Sequence, residues 1–203
     1  MKGVFKLLLT VSIIMVLNQA ATAQKSIRRQ TPAATSNARA VYGQVKDNIY
    51  TNSVIGLRIQ IPKELEVDEP SFVDAKLVPT QIPGSMFEGQ TLTIKNLFSA
   101  GAFPVSFICT ATKLAPNLVK KTGEEILNDR LFKEPNGPVA KVETLGTNTL
   151  AYVDGKTRFN ENRSYAIVRK GYYISIVLMY KDKGDLDVLR EYLADSDFDW
   201  TGK

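Results

Sequence analysis

The sequence predicts an α+β fold in which a mostly antiparallel β-sheet is covered by helices on both faces. Short apolar segments recur from Val41 onward and are separated by turn-like junctions, as is typical of antiparallel strands. Two segments, beginning near Thr122 and Asp185, place apolar residues at helical spacing. The segment Tyr173 to Met179 is apolar on both faces, and a strand of this kind belongs at the centre of a sheet covered on both sides.

The strands are predicted in two groups, separated by a long excursion. The first pair is Tyr42 to Tyr50 and Ile55 to Ile61. In the second of these strands, apolar and polar residues alternate from Leu57 until Pro62 ends it. Residues 62–89 are rich in proline and contain two glycines, so we expect a mostly irregular segment there. The later strands are predicted at Thr91 to Phe98, Pro104 to Lys113, Val139 to Leu145, Thr149 to Asp154, Arg163 to Arg169 and Tyr172 to Tyr180.

The first helix is predicted from a capping box. In Thr122-Gly123-Glu124-Glu125, the threonine oxygen and the Glu125 carboxylate can each accept a bond from an unpaired amide of the first turn. A helix that begins earlier, capped by Asn117, is the alternative. The proline-rich sequence 134–138 would end either helix. The inward side chains of the first helix would be Ile126, Leu127 and Leu131.

A second helix is predicted from Asp185, as the capping residue, to Ala194. Its inward stripe would be Leu186, Leu189 and Leu193. Residues 195–200 alternate strictly between polar and aromatic side chains, which predicts a short edge strand with Phe198 and Trp200 pointing inward.

The N-terminus predicts export. Residues 1–23 combine two lysines, an apolar run and the small residues that precede a signal-peptidase site, so cleavage is expected between Ala23 and Gln24. The apolar run is shorter than the roughly 20 residues that cross a bilayer. We therefore expect a secreted or periplasmic protein with no transmembrane span after signal cleavage.

The positive charge lies outside the predicted domain. Residues 24–40 contain four basic residues, no acidic residue and almost no large apolar one, so a disordered basic tail is expected there. Six of the 26 basic residues precede Val41, which leaves 20 against 21 acidic residues in the single domain predicted at 41–203. A nucleic-acid-binding domain would concentrate positive charge on the fold, so no nucleic-acid partner is expected.

Several kinds of chemistry are disfavoured by residue content. The chain has no histidine, which removes Ser-His and Cys-His catalysis and ordinary zinc sites. Cys109, the single cysteine, lies in an apolar stretch and is expected to be buried. The acidic series at 195, 197 and 199 lacks the glycine and later glutamate of a calcium loop. We predict no catalytic residue, no metal and no cofactor.

One segment is a candidate for recognition. The predicted hairpin tip 156–163 places Arg158 and Arg163 on either side of Phe159, and protruding loops on rigid scaffolds often bind partners. Alternatively, this tip is a soluble turn with Phe159 folded back onto the sheet.

The order of elements resembles the Mog1/PsbP/DcrB-like family. The first hairpin, Tyr50-Thr51-Asn52 followed by Gly56 to Pro62, is similar to that family's opening hairpin, and the helix, the strands from Val139 to Tyr180 and the closing helix follow in family order. The resemblance spans nearly all of 41–200. It implies a three-layer α/β/α fold and a non-enzymatic binding or accessory role. No residue matches a manganese, calcium or Ran site of the family, and the long excursion 62–89 departs from its pattern.

These observations favour an exported, monomeric binding or accessory module that acts on a protein or cell-envelope partner. The alternative is an enzyme that uses carboxylate and lysine chemistry. Its densest cluster would be Lys120, Lys121, Glu124, Glu125 and Asp129.

Overall fold

The computed structural model describes residues 42–68, 74–77, 83–133, 137–157 and 159–202. Every described residue belongs to one compact unit of the chain, Ser36–Lys203. The predicted signal peptide, its cleavage site at Ala23 and Gln24, and the predicted tail 24–40 therefore lie outside the described residues.

A small antiparallel sheet opens the described chain. It contains β1 (Gln44–Lys46), β2 (Ile49–Asn52) and β3 (Leu57–Gln60), in that order. The segment Tyr42 to Tyr50, predicted as one strand, therefore contains β1, a turn and the start of β2. It turns at Asp47 and Asn48, whose φ angles of 52° and 57° are left-handed. Asp and Asn tolerate this conformation, and two such residues in succession are the usual means of closing a two-residue hairpin.

A large antiparallel sheet of eight strands forms the body of the fold. Its order is β4-β6-β7-β11-β10-β9-β8, and β5 also pairs with β6. The expected excursion 62–89 thus contributes two short strands at one edge of this sheet. The strands are β4 (Glu66–Val67), β5 (Ala75–Leu77), β6 (Leu92–Ala102), β7 (Val105–Lys113), β8 (Lys141–Leu145), β9 (Asn148–Lys156), β10 (Glu161–Arg169) and β11 (Tyr172–Tyr180).

Two helices occur in the described chain, α1 (Gly123–Leu127) and α2 (Lys183–Ala194). The predicted capping box of α1 is confirmed, because Thr122 Oγ1 accepts from the Glu125 amide at 3.1 Å and Glu125 Oε2 accepts from the Thr122 amide at 2.8 Å. The predicted cap of α2 is wrong by three residues. Asp182 is the N-cap, and Asp185 completes a second capping box with it.

One face of the large sheet is fully covered. The small sheet and α2 pack on this side, which we call the α2 face, and the predicted stripe of α2 is buried. Cys109 is confirmed as buried and unpaired. The buried residues of this face include Tyr50, Leu57, Ile59, Phe107, Cys109, Ile174, Ile176, Leu178, Leu186, Leu189 and Leu193.

The opposite side, the α1 face, is covered over only part of its area. Helix α1 packs on β9 and β10, where Ile126 and Leu127 bury Ala151 and Ala166. Phe132 extends this cluster to Tyr173, with ring centroids 5.5 Å apart. Further along this face of the sheet, several side chains are only half-buried. These residues are Ile108, Val153, Ser164, Val177 and Met179.

The expectation of a three-layer α/β/α fold, with helices covering both faces, is wrong. The described residues are mostly antiparallel β-structure, and the two helices among them have 5 and 12 residues. Helix α1 ends early because Asn128 and Asp129 bond to other segments. Asn128 Oδ1 accepts from the Ala140 amide at 2.9 Å, and the buried Asp129 carboxylate accepts from Ser85 Oγ at 2.6 Å. Such side chains compete with helix continuation.

Residues 196–200 join the two sheets without forming the predicted edge strand. Asp197 makes an isolated bridge with Arg58 of β3. Ser196 Oγ accepts from the Gln60 backbone amide of the small sheet at 3.0 Å. The Ser196 carbonyl oxygen accepts from Asn148 Nδ2 of the large sheet at 2.8 Å. Phe198 is buried, as predicted, whereas Trp200 is half-buried.

Candidate functional site

Two hairpin tips lie at the same end of the large sheet. The turn between β6 and β7 occupies 102–105, and the turn between β9 and β10 occupies 156–161. Strand β11 runs between β7 and β10, with Met179 opposite Ser106 and Tyr180 opposite Glu161. The two turns therefore flank the end of β11. We call residues 102–104, 159 and 160 the tip surface.

Hydrogen bonds order the second turn and join it to the first. Thr157 Oγ1 accepts from the Asn160 amide at 3.0 Å, and the Thr157 amide donates to the Asn160 carbonyl at 2.8 Å. The Asn160 side chain then reaches across the end of β11. Its Nδ2 donates to the Pro104 carbonyl at 3.1 Å. This bond connects residues 56 positions apart and fixes the spacing of the two tips.

Each tip presents an exposed phenylalanine. Phe103 is 92% exposed and Phe159 is 78% exposed, whereas the next most exposed large apolar residue in the described chain, Val139, reaches 58%. Rings as exposed as these contribute less hydrophobic stabilisation than they would if they were buried. Exposed apolar groups that lie together often mark a surface for a partner.

Two of the three predicted recognition residues, Phe159 and Arg163, lie in different surroundings. Phe159 lies at the tip and is mostly exposed. Arg158 lies outside the described residues. Arg163 lies inside β10, where its side chain is 13% exposed and engaged by other residues of the sheet. Sequence reasoning missed Phe103. An aromatic residue before a proline, between two predicted strands, was the available signal.

Arg163 belongs to a polar cluster at the rim of the α2 face. Its Nη1 lies 3.0 Å from Glu143 Oε1, and the same carboxylate receives Arg190 Nη2 at 2.6 Å. The Tyr165 hydroxyl also donates to Glu143 Oε1 at 2.6 Å. Since Glu143 lies on β8, Arg163 on β10 and Arg190 on α2, this carboxylate joins the helix to two strands of the sheet.

The other atoms of the cluster are also engaged. Arg163 binds Asp154 through two nitrogens, at 2.7 and 3.2 Å, and its guanidinium lies 4.1 Å from the centre of the Tyr152 ring. Burial, and then the bond to Glu143, raise the pKa of the Tyr165 phenol. The phenol thus keeps its proton at neutral pH. These contacts make the cluster a structural clamp, because its groups already bind one another.

The residues of the alternative enzyme cluster have separate structural roles. Glu125 caps α1 and pairs with Lys121 Nζ at 2.7 Å. Asp129 is buried and also accepts from the Met86 and Leu131 amides at 2.8 and 2.9 Å. Glu124 lines an open surface depression of about 340 Å³ beside α1, together with Lys121. A second depression, of about 410 Å³, lies between α2 and β8.

The C-terminal acidic series does not act as one group. Asp195 is the C-cap of α2, Asp197 Oδ1 accepts from the Asp199 amide at 2.8 Å, and Asp199 pairs with Arg169 Nε at 3.0 Å. Within the described ranges, no group of three or more acidic or cysteine side chains could hold a metal ion.

No helix in the described part of the chain is long and apolar enough to cross a membrane. Comparison with known proteins finds no matching family model, no matching curated protein and no matching solved structure, so the Mog1/PsbP-like family stays a prediction.

Proposed function

We propose that this protein is an exported, non-enzymatic binding or accessory module that docks on a protein or envelope partner through its tip surface. One observation carries the proposal. Phe103 and Phe159, the two most exposed large apolar residues of the described chain, lie on neighbouring tips that the Asn160–Pro104 bond joins. Burying these rings against a partner would supply a hydrophobic gain that the folded chain forgoes by itself.

The tip surface is supported by ordered structure. Arg163 of β10 and Asp154 of β9 lie opposite each other, each two residues away from the second turn. Two nitrogens of the Arg163 guanidinium bind the two Asp154 carboxylate oxygens. The turn itself is closed by Thr157 and Asn160. A surface that is ordered before binding loses less conformational entropy when a partner arrives. Short turns held in this way are suited to recognition.

The carboxylates and lysines near α1 give less support to an enzyme. Glu125 and Asp129 accept bonds that cap or anchor backbone segments, so neither is poised for proton transfer to a substrate. General acid–base catalysis requires a group within hydrogen-bond reach of a bound substrate.

Site-specific photo-crosslinking in the exported protein tests the proposal. A photoreactive amino acid is placed at position 103, at position 159, or at Val188 of α2, which is 48% exposed and serves as the matched control. We expect positions 103 and 159 to yield a shared adduct in intact producing cells and Val188 to yield none. Adducts from position 188 alone, or no adduct from either phenylalanine position, would contradict the proposed docking surface.

A further inference from the structure

We propose that the outer edge of strand β8 pairs with β8 of a second copy of this chain, so that two large sheets join into one antiparallel sheet. The inference goes beyond the proposed function, because β8 lies along one edge of the large sheet and the tip surface lies at the ends of other strands. It depends on the unbonded edge of β8, on the charges beside it, and on the two depressions that flank it. It replaces the monomer expected from the sequence with a symmetric dimer.

The turn between β8 and β9 identifies the outward backbone groups of β8. Leu145 and Asn148 close a two-residue loop in which Gly146 has a left-handed φ of 58°, and the closing pair of such a hairpin exchanges both backbone bonds. The bonds of an antiparallel pair alternate along the strand. Val142 and Thr144 therefore direct their amides and carbonyls away from β9.

Asn128 supports this alternation. Its Oδ1 accepts from the amide of Ala140, which lies two residues before Val142 and should point outward in the same way, at 2.9 Å. Among the described residues, none outside the sheet bonds the outward backbone groups of Val142 or Thr144. These groups are free to pair with another strand.

Two other strand edges in the described chain are covered. The outer edge of β3 pairs with Asp197, through the Arg58 amide at 2.8 Å and the Asp197 amide at 2.7 Å. At the opposite edge of the large sheet, β4 and β5 pair with β6. Strand β8, by contrast, contains no proline and stays in unbroken register with β9, and Val142 is 49% exposed. An edge without such protection is suited to strand pairing.

The sequence of β8 favours a second copy as the added strand. Glu143 points to the α2 face, where it binds Arg190, and Lys141 points the same way because side chains alternate along a strand. Val142 lies opposite Ala151 of the α1 face. When two β8 strands pair with Val142 opposite Val142, the outward groups of both meet and each Lys141 lies opposite Glu143 of the other copy. Pairing Glu143 with Glu143 would oppose like charges, which is destabilising.

The α2 face at this edge is acidic enough to receive that lysine. The polar cluster and the depression beside α2 contain four carboxylates and two arginines, which are Glu143, Asp154, Asp187, Glu191, Arg163 and Arg190. Lys141 is exposed and forms no ion pair with a described residue. The charges at the edge are thus complementary to the cation that a second β8 would supply.

The two depressions lie where an added strand would project its side chains. The depression of about 410 Å³ lies between Leu145 and α2, and that of about 340 Å³ lies between Val142 and α1. Strands that bind a sheet edge project alternate side chains to its two faces. A second β8 would direct Lys141 to the first side and Val142 to the second. Because the two strands run in opposite directions, the dimer would present its tip surfaces at opposite ends.

Sedimentation equilibrium of the mature chain tests the inference. We expect a dimer whose fraction rises with protein concentration. Val142→Pro should weaken association at least about tenfold, because the dimer loses two backbone hydrogen bonds. The variant should still fold, since the lost amide points outward, and a thermal melt checks this. The matched control is Phe103→Ser/Phe159→Ser, which alters the tip surface and should dimerise normally.

Single cysteine substitutions test the register without removing a backbone group. Residues opposite each other in an antiparallel pair have Cα atoms about 5.5 Å apart, within the range of a disulfide. Val142→Cys should therefore give a disulfide-linked dimer under mild oxidation. Thr144→Cys should give none, because it would face Ala140 of the other copy. Cys109 is buried and should not compete.

The outcomes separate this inference from the proposed function. A chain that stays monomeric at every concentration, a dimer unchanged by a folded Val142→Pro variant, or equal disulfide yields from positions 142 and 144 would overturn the inference. A photoreactive amino acid at position 142 that captures a different protein, with the purified chain monomeric, would also overturn it. A dimer linked through position 142 would support it, even if positions 103 and 159 gave no adduct and the proposed docking surface failed.

Discussion

The two faces of the large sheet are covered by different means and to different extents. On the α2 face, a second sheet and a 12-residue helix enclose one continuous cluster that extends across the large sheet from β6 to β8. On the α1 face, a 5-residue helix and the segments around it bury a smaller cluster, and the same strands emerge half-exposed beyond it. The comparison shows that a strand in mid-sheet can be apolar on both sides while only one side is fully enclosed.

Strand β11 shows this difference within a few residues. Ile174, Ile176 and Leu178 point to the α2 face and are at most 1% exposed. Val177 and Met179 point to the α1 face, beyond the reach of α1, and are half-buried. Because the free energy of burial scales with the apolar area removed from water, neighbouring residues of one strand should differ in their contribution to stability.

The largest expected effect is in this strand. Ile176→Ala removes packed atoms from a fully enclosed site and should lower the free energy of unfolding by about 2 to 4 kcal/mol. Val177→Ala, the matched control, should cost less than about 1.5 kcal/mol because its site is half-open. Denaturant unfolding of both variants measures the difference. Equal losses would show that the α1 face is as well covered as the α2 face.

The second largest expected loss of stability distinguishes the two helices. A Cβ atom at Gly123, the first residue of α1, would lie 2.3 Å from the Ala166 carbonyl oxygen of β10. Gly123→Ala should therefore destabilise the fold by about 1 to 3 kcal/mol through overpacking.

Gly184→Ala in α2 is the control for this prediction. The added Cβ would meet only a side-chain oxygen, Asp182 Oδ1, at 3.2 Å, and alanine favours a helix, so stability should change by less than about 1 kcal/mol. Calorimetric melting temperatures of the two variants measure the difference in destabilisation. A Gly123→Ala protein that melts with the parent would contradict the close approach of α1 to β10.

The smallest effect concerns the polar rim of the α2 face. Tyr165→Phe removes the hydroxyl that donates to Glu143 and should cost about 0.5 to 1.5 kcal/mol at neutral pH. The folded state raises the pKa of this phenol, so it holds the proton more tightly than the unfolded chain does. Stability from this group is complete below the unfolded pKa, near 10, and falls as the pH rises above it.

The difference between parent and Tyr165→Phe should accordingly shrink above about pH 10. Urea unfolding at pH 7 and at pH 10.5 provides the measurement. A difference that stays constant over this range would mean that the bond to Glu143 does not govern the titration of Tyr165.

The sequence was most informative where structure depends on close neighbours. The Thr122–Glu125 capping box is a contact across three residues and was predicted correctly, as were the bounds of β11. The end of α1 was predicted wrongly, at 134–138, because it depends on bonds from Asn128 and Asp129 to segments outside the helix. The covering of the α1 face depends on the length of that helix, so this error produced the incorrect three-layer fold.

The candidate site was predicted only in part, because some of its features are local in sequence and others join distant segments. Phe159 lies on a hairpin whose turn is local, and its position at a tip follows from the strands on either side. The proximity of the Phe103 tip to the Phe159 tip could not be deduced, since it depends on the strand order β7-β11-β10 and on the bond from Asn160 to Pro104. Arg163 was expected at the tip but faces Asp154 inside the sheet, because β10 begins at Glu161.

Ser196 has a consequence for the order in which the molecule can be completed during synthesis. The residue bonds both to Gln60, which is 136 positions earlier, and to Asn148. A ribosome makes both partners first, so the small sheet and the β8–β9 hairpin emerge well before the residue that ties them together. Closing so long a loop is entropically costly and favours slow folding. The nascent chain therefore lacks the cross-connection through Ser196 until this late segment has emerged.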